Sequence, residues 1–141
     1  MSDLSLTLRK TIPAPVETVF NAWLDAKMLS KFMMPGKDMT VPRAESDGRE
    51  GGRFMVVMAA GENEIPHAGT YLEVTPHERI VFTWESPHSV DGSTVTLNFK
   101  PAGPSATDLT LTHVKFASEE ARTNHQGGWA GILEKLAEVA G

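Results

Sequence analysis

From Met39 to Lys115 apolar and polar residues alternate, and short turn signals cut the alternation into segments. A period of two puts successive side chains on opposite faces, so each segment reads as a half-buried strand. The strand candidates are Met39 to Glu45, Gly52 to Ala60, His67 to Thr75, Arg79 to Ser86, Thr94 to Pro101 and Thr107 to Lys115. Between them stand Asp47-Gly48, Gly61-Glu62-Asn63, Pro76-His77-Glu78, Asp91-Gly92 and Pro101-Ala102-Gly103-Pro104, all of turn-forming composition. Connections this short join antiparallel neighbours, so the segments form a meander and not a parallel sheet.

The flanks differ in period. Leu4 to Ile12 alternates as one more strand and ends at Pro13-Ala14-Pro15. Pro15 suits the first position of a helix, where its missing N–H goes unused anyway. Val16, Val19, Phe20, Trp23 and Leu24 then recur at helical spacing up to Asp25, and a second short helix runs from Ala26 to Met33, ahead of Pro35. The chain closes on a helix with Ser118 as N-cap, Glu119 and Glu120 at its positive end, and Trp129, Ile132, Leu133 and Leu136 on one stripe. The predicted order is strand, two short helices, a six-stranded meander and a long C-terminal helix, an α+β fold. A strongly curved antiparallel sheet wrapped around one helix tends to leave a cavity between its concave face and that helix.

Composition fits one domain over residues 1–141, long enough to bury its own core. Thirteen Lys and Arg against 18 Asp and Glu give a net charge of −5, which argues against nucleic acid or an anionic membrane as partner. The longest apolar run, Phe54 to Ala60, falls far short of the roughly 20 residues a membrane helix needs. Met1-Ser2-Asp3-Leu4-Ser5 has neither the basic nor the apolar part of a secretory signal. With no cysteine, disulfides and thiolate metal sites are excluded, and a cytoplasmic location is the expectation.

Parity predicts which side chains face inward. Ile80, Phe82 and Trp84 share one face, as do Val95, Leu97 and Phe99, and Leu109, Leu111 and His113. Phe54, Val56 and Met58 point the same way, although Met55 and Val57 compete. His67, Gly69 and Tyr71 share a face that Leu72 and Val74 contest, which predicts a bulge. The interior is then apolar with a few polar tips on Tyr71, Trp84 and His113. Two readings stand: a packed core, or the wall of a ligand pocket with sparse orienting groups.

Five stretches, in order, carry a resemblance. They are Ile12-Pro13-Ala14-Pro15-Val16-Glu17-Thr18-Val19-Phe20-Asn21-Ala22-Trp23, Phe32-Met33-Met34-Pro35, Gly51-Gly52-Arg53-Phe54, the segment Gly69-Thr70-Tyr71-Leu72-Glu73-Val74-Thr75-Pro76-His77-Glu78-Arg79-Ile80-Val81-Phe82-Thr83-Trp84, and His125-Gln126-Gly127-Gly128-Trp129 followed by Leu133 and Leu136. Together they resemble the branch of the START-like (SRPBCC) superfamily typified by activators of the heat-shock-protein-90 ATPase. The resemblance implies a helix-grip fold, a curved antiparallel sheet gripping the C-terminal helix around an apolar cavity. Members of the wider superfamily carry lipids, sterols, hormones or polyketides, and some cyclise or hydrolyse them. The eukaryotic co-chaperones have an additional N-terminal domain that engages the chaperone, to which no stretch here corresponds. Where the family commonly has Trp-Trp-Gly-Pro, this chain has Phe32-Met33-Met34-Pro35; the flexible methionines either soften a cavity mouth or fill a core gap.

Little else points to chemistry. His67, His77, His88, His113 and His125 form no metal-binding motif; His77 and His88 fall in turns, and only His67 and His113 could converge across the sheet. Gly48, Gly51 and Gly52 open a strand and not a helix, so they read as turn residues and not as a phosphate loop. Gly127-Gly128 lies inside the last helix, at a cost of about 1 kcal/mol each relative to Ala, and marks either a kink or a close approach beside Trp129. The expectation is non-catalytic binding of a small hydrophobic molecule, with no cofactor and no metal. The expected wall is Met33, Phe54, Met58, Tyr71, Phe82, Trp84, Phe99, Leu111, His113, Trp129 and Leu133. Two alternatives stay open: a cyclase, dehydratase or hydrolase using His113 or Tyr71, and a co-chaperone-like module that binds a protein partner. A homodimer is compatible with the sequence, but nothing specifies its interface.

Overall fold

The computed structural model describes residues 4–34, 38–86, 89–90 and 92–140. Pro35, His88 and Asp91, read above as a helix stop, a turn histidine and part of a hairpin signal, lie outside them, as do Met1, Ser2 and Asp3. The elements run β1 (Ser5–Ile12), α1 (Val16–Ala22), α2 (Ala26–Phe32), β2 (Met39–Ser46), β3 (Arg53–Ala60), β4 (Asn63–Thr75), β5 (Arg79–Thr83), β6 (Thr94–Pro101), β7 (Thr107–Val114) and α3 (Glu119–Ala140). The strands form one curled antiparallel sheet in the order β1-β7-β6-β5-β4-β3-β2. The meander accounts for every neighbour but one; β1 returns to close against β7, in register from Ser5↔Val114 to Ile12↔Thr107. The fold is α+β, with the long helix held against the sheet.

Local chemistry explains the boundaries. Pro15 is the N-cap of α1 and not its first residue, and Asp25 caps α2 by accepting from Met28 N at 3.3 Å. Ser118 caps α3, its Oγ accepting from Ala121 N at 3.1 Å. The β3–β4 hairpin turns on Gly61 at φ +65°, a backbone that suits glycine, so pairing runs out to Ala60↔Asn63 and β4 starts well before His67. The strand after Arg79 stops at Thr83: Trp84 N still donates to Ser93 O, but Ser93 N turns to Val90 O and returns no bond, and Glu85 keeps only an isolated bridge to Ala68.

Two bulges bend the sheet. One sits between Tyr71 and Glu73, where parity predicted it, and turns Leu72 outward to 54% exposure while Tyr71 stays inside and Val74 packs on the core. The other, between Thr40 and Arg43, contains Pro42, which has no N–H for the ladder. Along β3, β5, β6 and β7 the inward residues are those that alternation assigned. Trp129, Ile132, Leu133 and Leu136 are the buried stripe of α3, which packs against β1 and α2. No helix among the described residues is long and apolar enough to cross a membrane.

Candidate functional site

A cleft of about 610 Å³ lies between one end of the sheet and the N-terminal half of α3. Its volume is that of a small-molecule site. Met58 from β3, His67 from β4 and Trp84 just past β5 contribute the sheet side. Trp129 and Ile132 contribute the helix side, and Ser86, Ser89, Ser118, Glu120 and Asn124 edge it. Ser118, Glu120 and Asn124 are exposed, so the cleft opens to solvent there.

Side-chain volume on the helix explains the gap. Going toward the C-terminus, the α3 residues that line the cleft beside Trp129 include Ala121, His125, Gly128 and Ile132, spaced as one stripe. Ile132, Leu133 and Leu136 are large enough to fill the space beneath them, and all three are buried. Ala121 and Gly128 are not. The concave sheet therefore stays uncovered at the N-terminal half of the helix and is packed solid at the other half. α3 runs unbroken through Gly127 and Gly128; a Cβ on Gly127 would meet nothing within 4 Å, whereas Gly128 lines the cleft beside Trp129.

Under the cleft floor lies a buried polar relay. The Trp129 indole N–H donates to His113 Nδ1 at 3.0 Å, and His113 Nε2 lies 2.6 Å from Ser93 Oγ. An indole nitrogen can only donate, so His113 Nδ1 accepts, the ring proton sits on Nε2, and Ser93 Oγ receives it. Burial, and then the adjacent His125 ring, pushes the His113 pKa down to about 3. Both ring nitrogens are thus committed to the protein. Tyr71 is likewise engaged: its hydroxyl lies 2.9 Å from Ser46 Oγ and donates to Trp23 O at 3.3 Å. Burial, aided by the Asp47 charge and opposed by the Ser46 bond, pushes its pKa up to about 12. The Trp84 indole N–H differs, since it is buried and has no hydrogen-bond partner among the described residues.

With fold and cleft in view, the relatives can be compared. A family model described as Activator of Hsp90 ATPase homolog 1-like protein matches residues 13–141. The chain belongs to that family. A solved protein from Chromobacterium violaceum is 26% identical with a TM-score of 0.83, covering 97% of each chain. An AHSA1-like protein from Aeromonas hydrophila is also 26% identical (TM-score 0.82, 96% of this chain and 90% of the other). The AHSA1 protein from Silicibacter pomeroyi is 27% identical with a TM-score of 0.80 over 96% of both chains. No curated protein matches the chain.

Within this family member the residues expected to form one wall divide among three surroundings. Met58, Trp84 and Trp129 line the cleft. Met33, Phe54, Tyr71 and Phe82, with Trp23 and Leu29, surround a void of only about 10 Å³, no more than one water could fill. Phe99, Leu111, His113 and Leu133 are buried and border neither space. Met33 is 1% exposed, so it fills a core gap and is not at a mouth. His77 is exposed with its ring 5.5 Å from that of Phe20, and no group of three or more His, Cys, Asp or Glu suited to a metal occurs among the described residues. Ser86, Ser89, Glu120, Ala121, Asn124 and His125 also line the cleft and lie outside the expected wall. The signal for the helical ones was the run of small and polar residues on the stripe that ends in Ile132.

Proposed function

We propose that this protein binds a small, mainly apolar molecule in the cleft between the Met58–Trp84 end of the sheet and the N-terminal half of α3, without turning it over. The observation that carries this reading is the cleft itself, about 610 Å³ with a floor of Met58, Trp84, Trp129 and Ile132. Burying apolar ligand surface there contributes roughly 25 cal/mol per Å². Turnover draws less support. His113 has no free lone pair to take a proton, and the Tyr71 hydroxyl is engaged with Trp23 O and Ser46 Oγ on a residue that does not line the cleft.

Native mass spectrometry of the purified protein, set against its denatured mass, tests the proposal together with a cleft-filling variant. Ala121→Leu adds bulk on the cleft's helical side while keeping a good helix former. The expected result is an adduct of small-molecule mass, or binding of added neutral apolar compounds, that the variant loses. If wild type and variant bind alike, or neither binds any, the proposal fails.

A further inference from the structure

We infer that, within the binding role just proposed, His125 is the group that recognises the ligand. Its Nε2 accepts a hydrogen bond from a hydroxyl, so the cleft selects an apolar alcohol or phenol over the matching ether and rejects the matching carboxylate. The inference rests on the cleft being a binding site.

The tautomer comes first. His125 Nδ1 lies 2.7 Å from Ala121 O, one helical turn back. A carbonyl oxygen can only accept, so Nδ1 carries the ring proton, and Nε2 of the neutral imidazole keeps its lone pair. The ring is held by His113, edge-on at 5.3 Å between centroids, and by Phe116 at 5.2 Å.

Access comes second. His125 is half-buried and lines the cleft, with Ala121 a turn before it and Gly128 a turn after it, both too small to cover the ring. Its Nε2 has no hydrogen-bond partner among the described residues, and it is not one of the buried polar atoms sealed from water. The neighbouring imidazole, His113, has both nitrogens bonded inside the protein.

The polarity of the surroundings comes third. Among the described residues that line the cleft there is no Lys or Arg, and the only carboxylate is Glu120, exposed at the edge. The two indoles can only donate, and neither is on offer: the Trp84 N–H is buried and the Trp129 N–H is taken by His113. The open groups of fixed polarity, His125 Nε2 and the Glu120 carboxylate, are thus both acceptors. A hydroxyl satisfies such a site and an ether oxygen does not. A carboxylate loses its hydration with no cation to receive it, and it meets a lone pair and a like charge.

Three naphthalenes of similar shape separate these cases. 2-Naphthol carries a hydroxyl donor, 2-methoxynaphthalene keeps the oxygen without the donor, and 2-naphthoate carries a charge. Binding is measured by calorimetry at pH 8, where an ordinary imidazole is uncharged and an ordinary phenol keeps its proton. The naphthol is expected to bind about tenfold tighter than the ether, the worth of one hydrogen bond, and the carboxylate weakest. His125→Phe keeps a ring against His113 and Phe116 and removes the acceptor, so it should bring the naphthol-to-ether ratio near one. Nitrogen NMR of the wild type gives a readout that needs no variant to fold: 2-naphthol should shift the unprotonated Nε2 of His125, and 2-methoxynaphthalene should not. An ether or carboxylate that binds as tightly as the naphthol, an Nε2 signal that the naphthol leaves unmoved, or a folded His125→Phe protein that keeps the preference overturns the inference and leaves the binding role standing. If none of the three binds, the binding role falls and the inference with it.

Discussion

His113 and Tyr71 show how single buried groups set the conditions under which this protein is stable. The His113 pKa in the folded state, about 3, lies below that of an exposed imidazole. Below about pH 6.5 the unfolded chain therefore binds a proton that the native state refuses. Stability is full above that pH and is lost as pH falls toward 3, by about 1.4 kcal/mol per unit from this group. Urea unfolding at pH 7 and pH 5 should show that loss in the wild type, and His113→Gln, though less stable overall, should show a shallower one. Equal slopes would mean that His113 does not carry the acid sensitivity. Tyr71 has the opposite sign. Its pKa is raised to about 12, so stability is present below pH 10 and declines as pH rises to 12. Because the chain has one tyrosine, an absorbance titration reads this group alone, and ionisation near pH 10 would refute its burial against Trp23 and Ser46.

Among the elements, β4 and α3 carry glycines that do opposite things. At Gly69 in β4 a Cβ would lie 2.0 Å from Thr83 O and 2.5 Å from the Phe54 ring, so glycine lets the strands close over that ring. Gly69→Ala should cost at least about 1–3 kcal/mol through forced overpacking. Gly127 is exposed on α3 with open space around it, and Gly127→Ala should add about 1 kcal/mol through helix propensity. Thermal unfolding of the pair checks both signs. A neutral Gly69→Ala would show that β4 can move away from β5, and a destabilising Gly127→Ala would show that the helix there is not as described.

For the whole molecule, the decisive quantity is how much volume α3 brings to each half of the concave sheet. Ala121→Leu tests it, because filling unoccupied space should leave stability unchanged or raised while binding is lost. A variant that unfolds instead would show that the cleft has no room for the added methyls. At this scale the sequence was legible to an uneven degree. The strand faces, the bulge at Leu72, the Ser118 cap and the α+β class follow from alternation, turn chemistry and capping, which are local and act over a few residues. Parity placed Met58 and Trp84 on the inner face, the helical stripe placed Trp129 opposite them, and parity placed Phe54, Tyr71, Phe82 and His113 inside equally. Which inward residues border a cavity depends on what arrives from the opposite element, and Trp84 and Ala121 are far apart in the chain. Whether an indole N–H finds a partner is decided the same way, since His113 came within reach of Trp129 and, among the described residues, no acceptor bonds Trp84. The sequence by itself determined which way each side chain points; only the tertiary structure, by summing volumes and hydrogen bonds across distant segments, decided where the interior is full and where it is open.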